Sequence, residues 1–229
     1  MKKPSPGVIA SLSLLSIMIG CSDQLKTVEY YESGEKKSEG VMQGGPEGKR
    51  VGEWIMWHKN GQKLEQGDYK DGEKDGLWSR WYNNGAMQNV GRYENGKQEG
   101  EWNGYHHDGK PEHHGMYKNG KHEGTWTYWH ENGEKASEGT YIAMERQGLW
   151  QGWHDNGQMS TKGIYKDNKK DGDWLHWHLD GTVVGEFTFK DGLQHGRFIW
   201  RGIDGILIPR LSGMYHKGKK IKDLPPHIK

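Results

Sequence analysis

Histidines recur along this chain at a spacing that raises the question of a metal site. Imidazole nitrogens bind Zn²⁺ at about 2 Å. If each repeating unit is a pair of strands in one sheet, however, equivalent positions in successive units lie about 9.6 Å apart. The recurring histidines therefore indicate a solvated strand face, and a local group at His106, His107, His113 and His114 is expected to bind metal only adventitiously. The recurring set stands at multiples of 24 residues: His58, His106, His130, His154 and His178.

Other residues that could do chemistry do not assemble into a catalytic motif. The loop "GGPEGKR" at 44–50 resembles a phosphate-binding loop, but Gln43 replaces its first glycine and Arg50 stands where Ser or Thr is needed. The sequence contains no nucleophile elbow and no HExxH motif. We expect a protein that is not an enzyme and needs no cofactor. The recurring carboxylates fit a solvated, charge-mixed strand: Glu53, Glu101 and Asp173.

The elements that must position these residues come from an internal repeat. "GEWIMWHKNG" begins at Gly52, and related segments begin every 24 residues as far as Gly172. A degraded seventh copy begins at Gly196, and a partial copy, "YYESG", begins at Tyr30. A fixed period of this length is the signature of a repeat protein.

Each repeat contains two turn signals, so one repeat is predicted to be one β-hairpin. Asn-Gly and Asp-Gly pairs such as Asn60-Gly61 and Asp71-Gly72 favour two-residue type I′ turns. Two repeats depart from the second signal, with Ala143-Met144 and Asp167-Asn168. We expect a wider loop or a bulge at Ala143-Met144.

The predicted register opposes large rings and glycines. A two-residue turn at Asn60-Gly61 makes Lys59 face Gln62 and makes Trp54 face Gly67, and a ring laid over a cross-strand glycine covers bare backbone. We expect these rings to form a structural column, called here the first column, that substitutes for a core. Its members are Trp54, Tyr69, Trp78, Tyr93, Trp102, Tyr117, Trp126, Tyr141, Trp150, Tyr165 and Trp174.

A second set of rings has the opposite parity. Each lies three residues after the first-column ring on the same strand, so in a regular strand it points to the other face of the sheet. We call this set the second column and identify it as the candidate binding face. Its members are Trp57, Trp81, Tyr105, Trp129, Trp153 and Trp177.

Composition and repeat together predict the fold class. Only 31% of the residues are hydrophobic, and no second layer is evident. We expect an all-β protein, an elongated single-layer antiparallel β-meander of tandem 24-residue hairpin repeats over residues 52–215. The apolar last copy, which contains Phe198, Ile199, Trp200, Ile206, Leu207 and Ile208, is interpreted as a cap on the final edge or as an exposed docking patch.

The two ends carry different signals. Residues 1–20 resemble a secretory signal peptide, and "MIGC" at 18–21 resembles a lipobox, which implies lipidation of Cys21. Ser22 favours the outer membrane if the host has two membranes. Residues 21–51 then hold the anchor, the partial repeat and a loop. Residues 216–229 form a basic tail that we expect to be disordered, and its charge suits contact with anionic surfaces.

The repeat resembles a known family. The unit G-x-W-x-x-W-H-x-N-G followed by G-x-Y-K-x-G-x-x-x-G is similar to the bacterial variant MORN repeat, over about residues 30 to 218. The resemblance implies an interaction scaffold, because MORN proteins are regarded as scaffolds for protein or membrane-lipid contact. Some members are labelled antitoxins of toxin–antitoxin systems.

Two functional classes stay open at this point. The first is a lipid-anchored envelope scaffold that binds a protein partner through the second column, with an antitoxin- or immunity-like role as its more specific form. The alternative is a module that binds glycans or lipid surfaces through the same rings; a third interpretation is that both columns only stabilise the sheet. The formal net charge of +1 argues against a nucleic-acid partner, and the open sheet edges make a homodimer plausible.

Overall fold

A computed structural model describes residues 17–18 and 23–224. Cys21, Ser22 and residues 225–229 of the predicted tail lie outside the described residues, as does the predicted signal peptide apart from residues 17 and 18. No helix among the described residues has the length and apolar character needed to cross a membrane.

The described residues form β-strands in two compact units: those within Met1–Met87 together with Tyr93–Gly96, and those within Lys97–Lys229 together with Gln88–Arg92. Strand β7, Met87–Glu94, is divided between them. The first unit contains β1 (Ile17–Met18), β2 (Gln24–Tyr30), β3 (Lys36–Gln43), β4 (Lys49–Trp57), β5 (Lys63–Lys70) and β6 (Glu73–Trp81). Next come β7 (Met87–Glu94), β8 (Lys97–Tyr105), β9 (Pro111–Lys118), β10 (Lys121–Trp129), β11 (Lys135–Ile142) and β12 (Glu145–Trp153). The last are β13 (Met159–Lys166), β14 (Lys169–Trp177), β15 (Val183–Lys190), β16 (Leu193–Trp200), β17 (Gly213–His216) and β18 (Lys219–Lys222).

Within each unit every strand pairs antiparallel with the next strand in the chain. In the first unit this holds from β1 to β6. In the second unit it holds from β8 to β18. The predicted fold class, an all-β antiparallel meander of tandem hairpins, is confirmed.

The second turn of each repeat is the tight two-residue turn that the sequence predicts. Asp71 and Gly72 both have positive φ, 53° and 90°, as a type I′ turn requires. The wider loop predicted at Ala143-Met144 was wrong, because these residues adopt the same conformation, with φ of 50° and 80°. The physical reason is a hydrogen bond across repeats: the Met144 N–H donates to the carbonyl of His122 at 3.0 Å, as the Gly72 N–H does to that of Arg50.

The first turn of each repeat differs from the prediction. Gly61 has a φ of 82°, but Asn60 keeps a negative φ, and the His58 N–H donates to the carbonyl of Gln62 at 2.8 Å. This is a three-residue loop, in which a type I turn precedes a glycine of positive φ. The prediction that Lys59 faces Gln62 across a two-residue type I′ turn was therefore wrong.

The register further along the hairpin is nevertheless as predicted, with Trp54 paired with Gly67 and Gly52 with Tyr69. A bulge explains the agreement. Met56 pairs with Glu65 and Trp57 with Lys63, so one extra residue lies on β5 between these pairs. The bulge shifts the register by one residue and compensates for the one-residue difference in loop length.

The first-column rings do not cover the glycines predicted for them. Trp54 pairs with Gly67, but a Cβ at Gly67 would lie 2.4 Å from the ring of Trp78, which comes from the next repeat. The ring of Trp54 in turn covers Gly40 of the preceding copy, at 2.2 Å. Each indole therefore joins its own hairpin to the preceding one.

The indole N–H groups reinforce this contact between hairpins. The Nε1–H of Trp78 donates to the carbonyl of Asp68 at 3.0 Å, directly after the covered glycine. All six first-column tryptophans are at most 8% exposed and make the equivalent bond. Tyrosines fill the spaces between them, as Tyr69 does between Trp54 and Trp78, with edge-to-face centroid distances of 6.1 and 5.0 Å. The six buried tryptophans of the first column are Trp54, Trp78, Trp102, Trp126, Trp150 and Trp174.

The last copy is part core and part surface. Phe198 and Ile199 are buried, whereas Ile206 is 66% exposed. The last copy, which includes β17, does not form the final edge, because β18 pairs with β17 and continues the sheet beyond it. The tail predicted to be disordered is thus a strand over Lys219–Lys222.

His176 makes stability depend on pH where the regular repeats meet the last copy. Its ring lies edge-to-face on Phe187, and its buried Nε2 has no hydrogen-bond partner among the described residues. Burial, with a smaller contribution from Lys170, lowers the pKa of His176 from 6.5 to about 4. The folded state therefore binds this proton less readily than the unfolded chain, and its stability falls as the pH drops from 6.5 toward 4.

We predict that His176→Phe reduces this loss of stability. The measurement is the free energy of unfolding of both proteins at pH 7 and pH 5. The wild type should lose more between the two pH values than the variant. The variant should keep a residual slope from His113 and His122, whose pKa values burial also lowers. Equal losses in both proteins would contradict the assignment.

Candidate interaction surface

Side-chain contacts place the second column on the face opposite the first. Glu53 neighbours Trp54 on one strand, so its side chain points away from the first column. Gln66 donates to Glu53 at 2.6 Å, and Lys63 donates to Gln66 at 2.7 Å. The Lys63 Nζ then lies 5.7 Å from the ring centroid of Trp81. This connected set of side chains lies on one face, and Trp81 belongs to it.

The second unit repeats the arrangement. Thr127, next to Trp126 on β10, donates to Glu138 at 3.1 Å, and Lys135 forms an ion pair with the same carboxylate at 2.9 Å. The Lys135 Nζ lies 5.2 Å from the ring centroid of Trp153. A lysine Nζ therefore lies over one second-column ring in each unit.

The second-column rings are half-buried and keep unused hydrogen-bonding capacity. Within the described part of the chain, the five tryptophans make no ring contact with one another, and none of their indole N–H groups donates a hydrogen bond. The buried first-column indoles, by contrast, all donate to backbone carbonyls. The second column thus presents apolar ring faces with free donors: Trp57, Trp81, Trp129, Trp153 and Trp177, with a half-buried tyrosine at Tyr105.

The backbone beneath these rings holds the repeats together through the recurring histidines. The Nε2 of His58 lies 3.0 Å from the carbonyl oxygen of Trp81, and the Nε2 of His154 lies 2.9 Å from that of Trp177. A ring nitrogen facing a carbonyl must carry the proton and donate it. These bonds use the tryptophan backbone, which any residue would supply, and leave the indole free.

The solvated strand face predicted for the histidines was wrong, because they are half-buried and bonded to the next repeat. His106 and His130 make the same bond, and Tyr31 makes it in the partial copy. At the other end, the Nε2 of His178 is buried without a partner among the described residues. In the described part of the chain, no group of three or more His, Cys, Asp or Glu residues is placed to hold a metal ion.

Exposed aliphatic residues extend the candidate surface around Trp153. Leu149 lies four residues before Trp153 on β12, hence on the same face, and pairs with Ile164 on β13. Both are 48% exposed. Sequence reasoning missed them because they occupy positions held by Glu53 and Asp68 in the first full repeat. Comparing the repeats with one another could have found them, because the repeat that begins at Gly148 has an apolar pair where the first full repeat has this charged pair.

One comparison with known proteins identifies the repeat. A family model described as "MORN repeat variant" matches six segments that together make up more than half of the chain. A search of curated proteins found none that matches the chain. The matched segments are residues 50–71, 74–95, 98–119, 123–143, 146–167 and 170–191.

Proposed function

The chain belongs to the MORN repeat variant family, and on that premise we propose that it is a non-enzymatic scaffold that binds a protein partner through the second column. The observation that carries the proposal is the set of partly exposed indoles whose N–H groups donate no hydrogen bond within the described residues. Tryptophan dominates the energetics of many protein interfaces, because its large apolar ring is buried while its N–H pairs with the partner.

The most favourable part of this surface lies in the second unit. There Trp153 is joined by the exposed Leu149 and Ile164, which provide an apolar centre. Lys135 and Glu138 lie beside it and provide a polar border. An apolar centre with a polar rim is the usual anatomy of a protein interface.

We also propose that Cys21 is lipidated and anchors the scaffold in the cell envelope, at the outer membrane if the host has two. Support comes from the sequence "MIGC" after a short apolar run. An envelope-located partner follows, and an immunity role against a toxin that acts at the envelope is the more specific form of the proposal. In Cys21→Ser the protein should leave the membrane fraction; retention there would contradict lipid anchoring.

The test of partner binding is affinity capture from detergent-solubilised envelopes of the native host. The bait is wild type or a variant in which Trp129, Trp153 and Trp177 are replaced by leucine, which keeps an apolar side chain at each position. Lys170→Met is the matched control, because the Lys170 Nζ lies 4.2 Å from the ring centroid of Trp174 and hence on the first-column face. Circular dichroism first establishes that each bait is folded.

The expected result is one protein captured by wild type and by Lys170→Met but not by the leucine variant. The captured protein, once purified, should bind the wild type in a fixed ratio. Equal capture by the leucine variant would contradict the proposal. Binding of wild type to purified envelope glycans, with no protein captured, would replace it with glycan recognition.

A further inference from the structure

Two histidine side chains meet on neighbouring strands near the end of the sheet. His195 lies on β16 and His216 on β17, and their ring centroids are 4.9 Å apart with an angle of 51° between the ring planes. Gly196 pairs with Tyr215 in the register of these strands, so the two histidines stand opposite each other one residue further along. Side chains at opposite positions of antiparallel strands have Cβ atoms about 4.5–5.5 Å apart. The sheet therefore holds both imidazoles within reach of one small ligand.

The ring nitrogens of these two histidines are not used by the fold. Within the described part of the chain, neither the His195 ring nor the His216 ring forms a hydrogen bond or an ion pair. The recurring histidines differ in this respect, since the Nε2 of His154, for example, lies 2.9 Å from the carbonyl oxygen of Trp177. His195 is half-buried and His216 is exposed. Both rings can therefore offer a nitrogen lone pair to a ligand from solvent.

The distance between the two rings suits a shared metal ion. A ligating imidazole nitrogen lies about 2 Å from the ion, which places the centroid of that ring about 3.1 Å from the ion. Two nitrogens that subtend about 90–110° at the ion, as in square-planar or tetrahedral coordination, then bring the ring centroids about 4.4–5.1 Å apart. The observed separation of 4.9 Å falls inside this range. One ion can therefore be bound by both rings without a change in the backbone.

The other hairpins of the second unit have different residues at the equivalent positions. The preceding one holds Asp171 and Lys190 there, one residue beyond the register pair of Gly172 and Phe189. The last copy replaces both with histidine, so the repeat itself does not require the pair. The equivalent positions earlier in the second unit are held by Glu99 and Lys118, Glu123 and Ile142, and Gln147 and Lys166.

We infer that His195 and His216 together bind one divalent transition-metal ion, and that the ion is Cu²⁺. Imidazole suits copper, nickel and zinc, and Cu²⁺ has the highest affinity of the three for nitrogen ligands. That affinity matters here, because Lys219 is the register partner of His216 and its positive charge opposes every divalent ion. Two protein ligands leave the remaining coordination positions to water. The inference goes beyond the scaffold proposal, and neither claim depends on the other.

The repeat supplies variants that remove the site and one that creates it elsewhere. His195→Gln and His216→Gln each remove one ligand and should weaken Cu²⁺ binding about a hundredfold, since two ligands held on one scaffold bind far more tightly than one. His216 is exposed, so its variant serves if His195→Gln does not fold. His114→Gln, on β9 and outside the pair, is the matched control. The double variant Asp171→His, Lys190→His should create a second site in the preceding hairpin.

Binding is measured by titration calorimetry with Cu²⁺ and with Zn²⁺, and the bound Cu²⁺ is examined by electron paramagnetic resonance. Every protein is the full chain carrying Cys21→Ser, which removes its only thiol, and circular dichroism first establishes that each is folded. Wild type and His114→Gln should bind one Cu²⁺ through two nitrogens, more tightly than Zn²⁺.

Each glutamine variant should lose the signal of the second nitrogen together with the affinity. The double-histidine variant should bind two Cu²⁺ ions. Affinity unchanged in both glutamine variants, or a single coordinated nitrogen in wild type, would overturn the site and leave an adventitious ion only. Failure of the folded double-histidine variant to bind a second ion would overturn the geometric argument.

Discussion

Replacing Trp126 with alanine is expected to lower the free energy of unfolding by about 4 kcal/mol, the range for removing a buried tryptophan. The ring is 1% exposed. It covers Gly115, where a Cβ would lie 2.2 Å from the indole, and its Nε1–H donates to the carbonyl of Met116 at 3.1 Å. The substitution removes both contacts between successive hairpins. Urea denaturation followed by circular dichroism measures the effect.

Trp129→Ala is the matched control, three residues further along β10. That ring is half-buried, and its indole N–H donates no hydrogen bond to any described residue. We expect a loss of about 1 kcal/mol, since a partly exposed side chain gives up less buried area. If both substitutions cost the same free energy, the two columns do not differ in structural role.

Gly139→Ala is expected to destabilise the protein by about 3 kcal/mol, at the upper end for overpacking a filled site. A Cβ at Gly139 would lie 2.2 Å from the ring of Trp150. The indole must move away, and its hydrogen bond to the carbonyl of Thr140, 3.2 Å long, is then lost. Thermal and urea unfolding both measure the loss.

Gly148→Ala separates this steric effect from backbone strain. Gly148 has a φ of 67°, and a Cβ there would meet nothing within 4 Å. Only the cost of placing alanine in the left-handed region remains, about 1 kcal/mol. A larger loss for Gly148→Ala than for Gly139→Ala would show that backbone conformation, and not ring contact, explains the glycines.

The hairpin meander could be predicted from the sequence because the 24-residue period and the turn pairs repeat in phase. The pairing of Trp54 with Gly67 could be predicted as well. The turn at Asn60-Gly61 could not, because Asn-Gly suits both a two-residue turn and the end of a three-residue loop. The bulge beside Trp57 cancels the difference in length, so a register count cannot distinguish them.

The sequence also could not predict which glycine each ring covers. Trp150 pairs with Gly163 on one side and with Gly139 on the other, and register alone does not say toward which strand the indole leans. The structure shows that it leans toward Gly139. This direction turns a contact within one hairpin into a contact between hairpins.

The candidate surface was predicted in part. The three-residue spacing from Trp150 to Trp153 indicates opposite faces, and the contacts of Lys135 and Glu138 agree with that placement. Binding by these rings stays a prediction. The hydrogen bond from the His154 ring to the carbonyl of Trp177 could not be predicted, because it depends on the position of the loop after β12 relative to the end of β14.

The division of roles between the two columns is tested most directly by hydroxyl-radical footprinting of the native protein, read at each tryptophan by mass spectrometry, alone and with its captured partner. In the free protein the second-column tryptophans should oxidise faster than those of the first column, and in the complex they alone should become protected. Equal oxidation of both columns in the free protein, or no protection of the second column in the complex, would contradict the account.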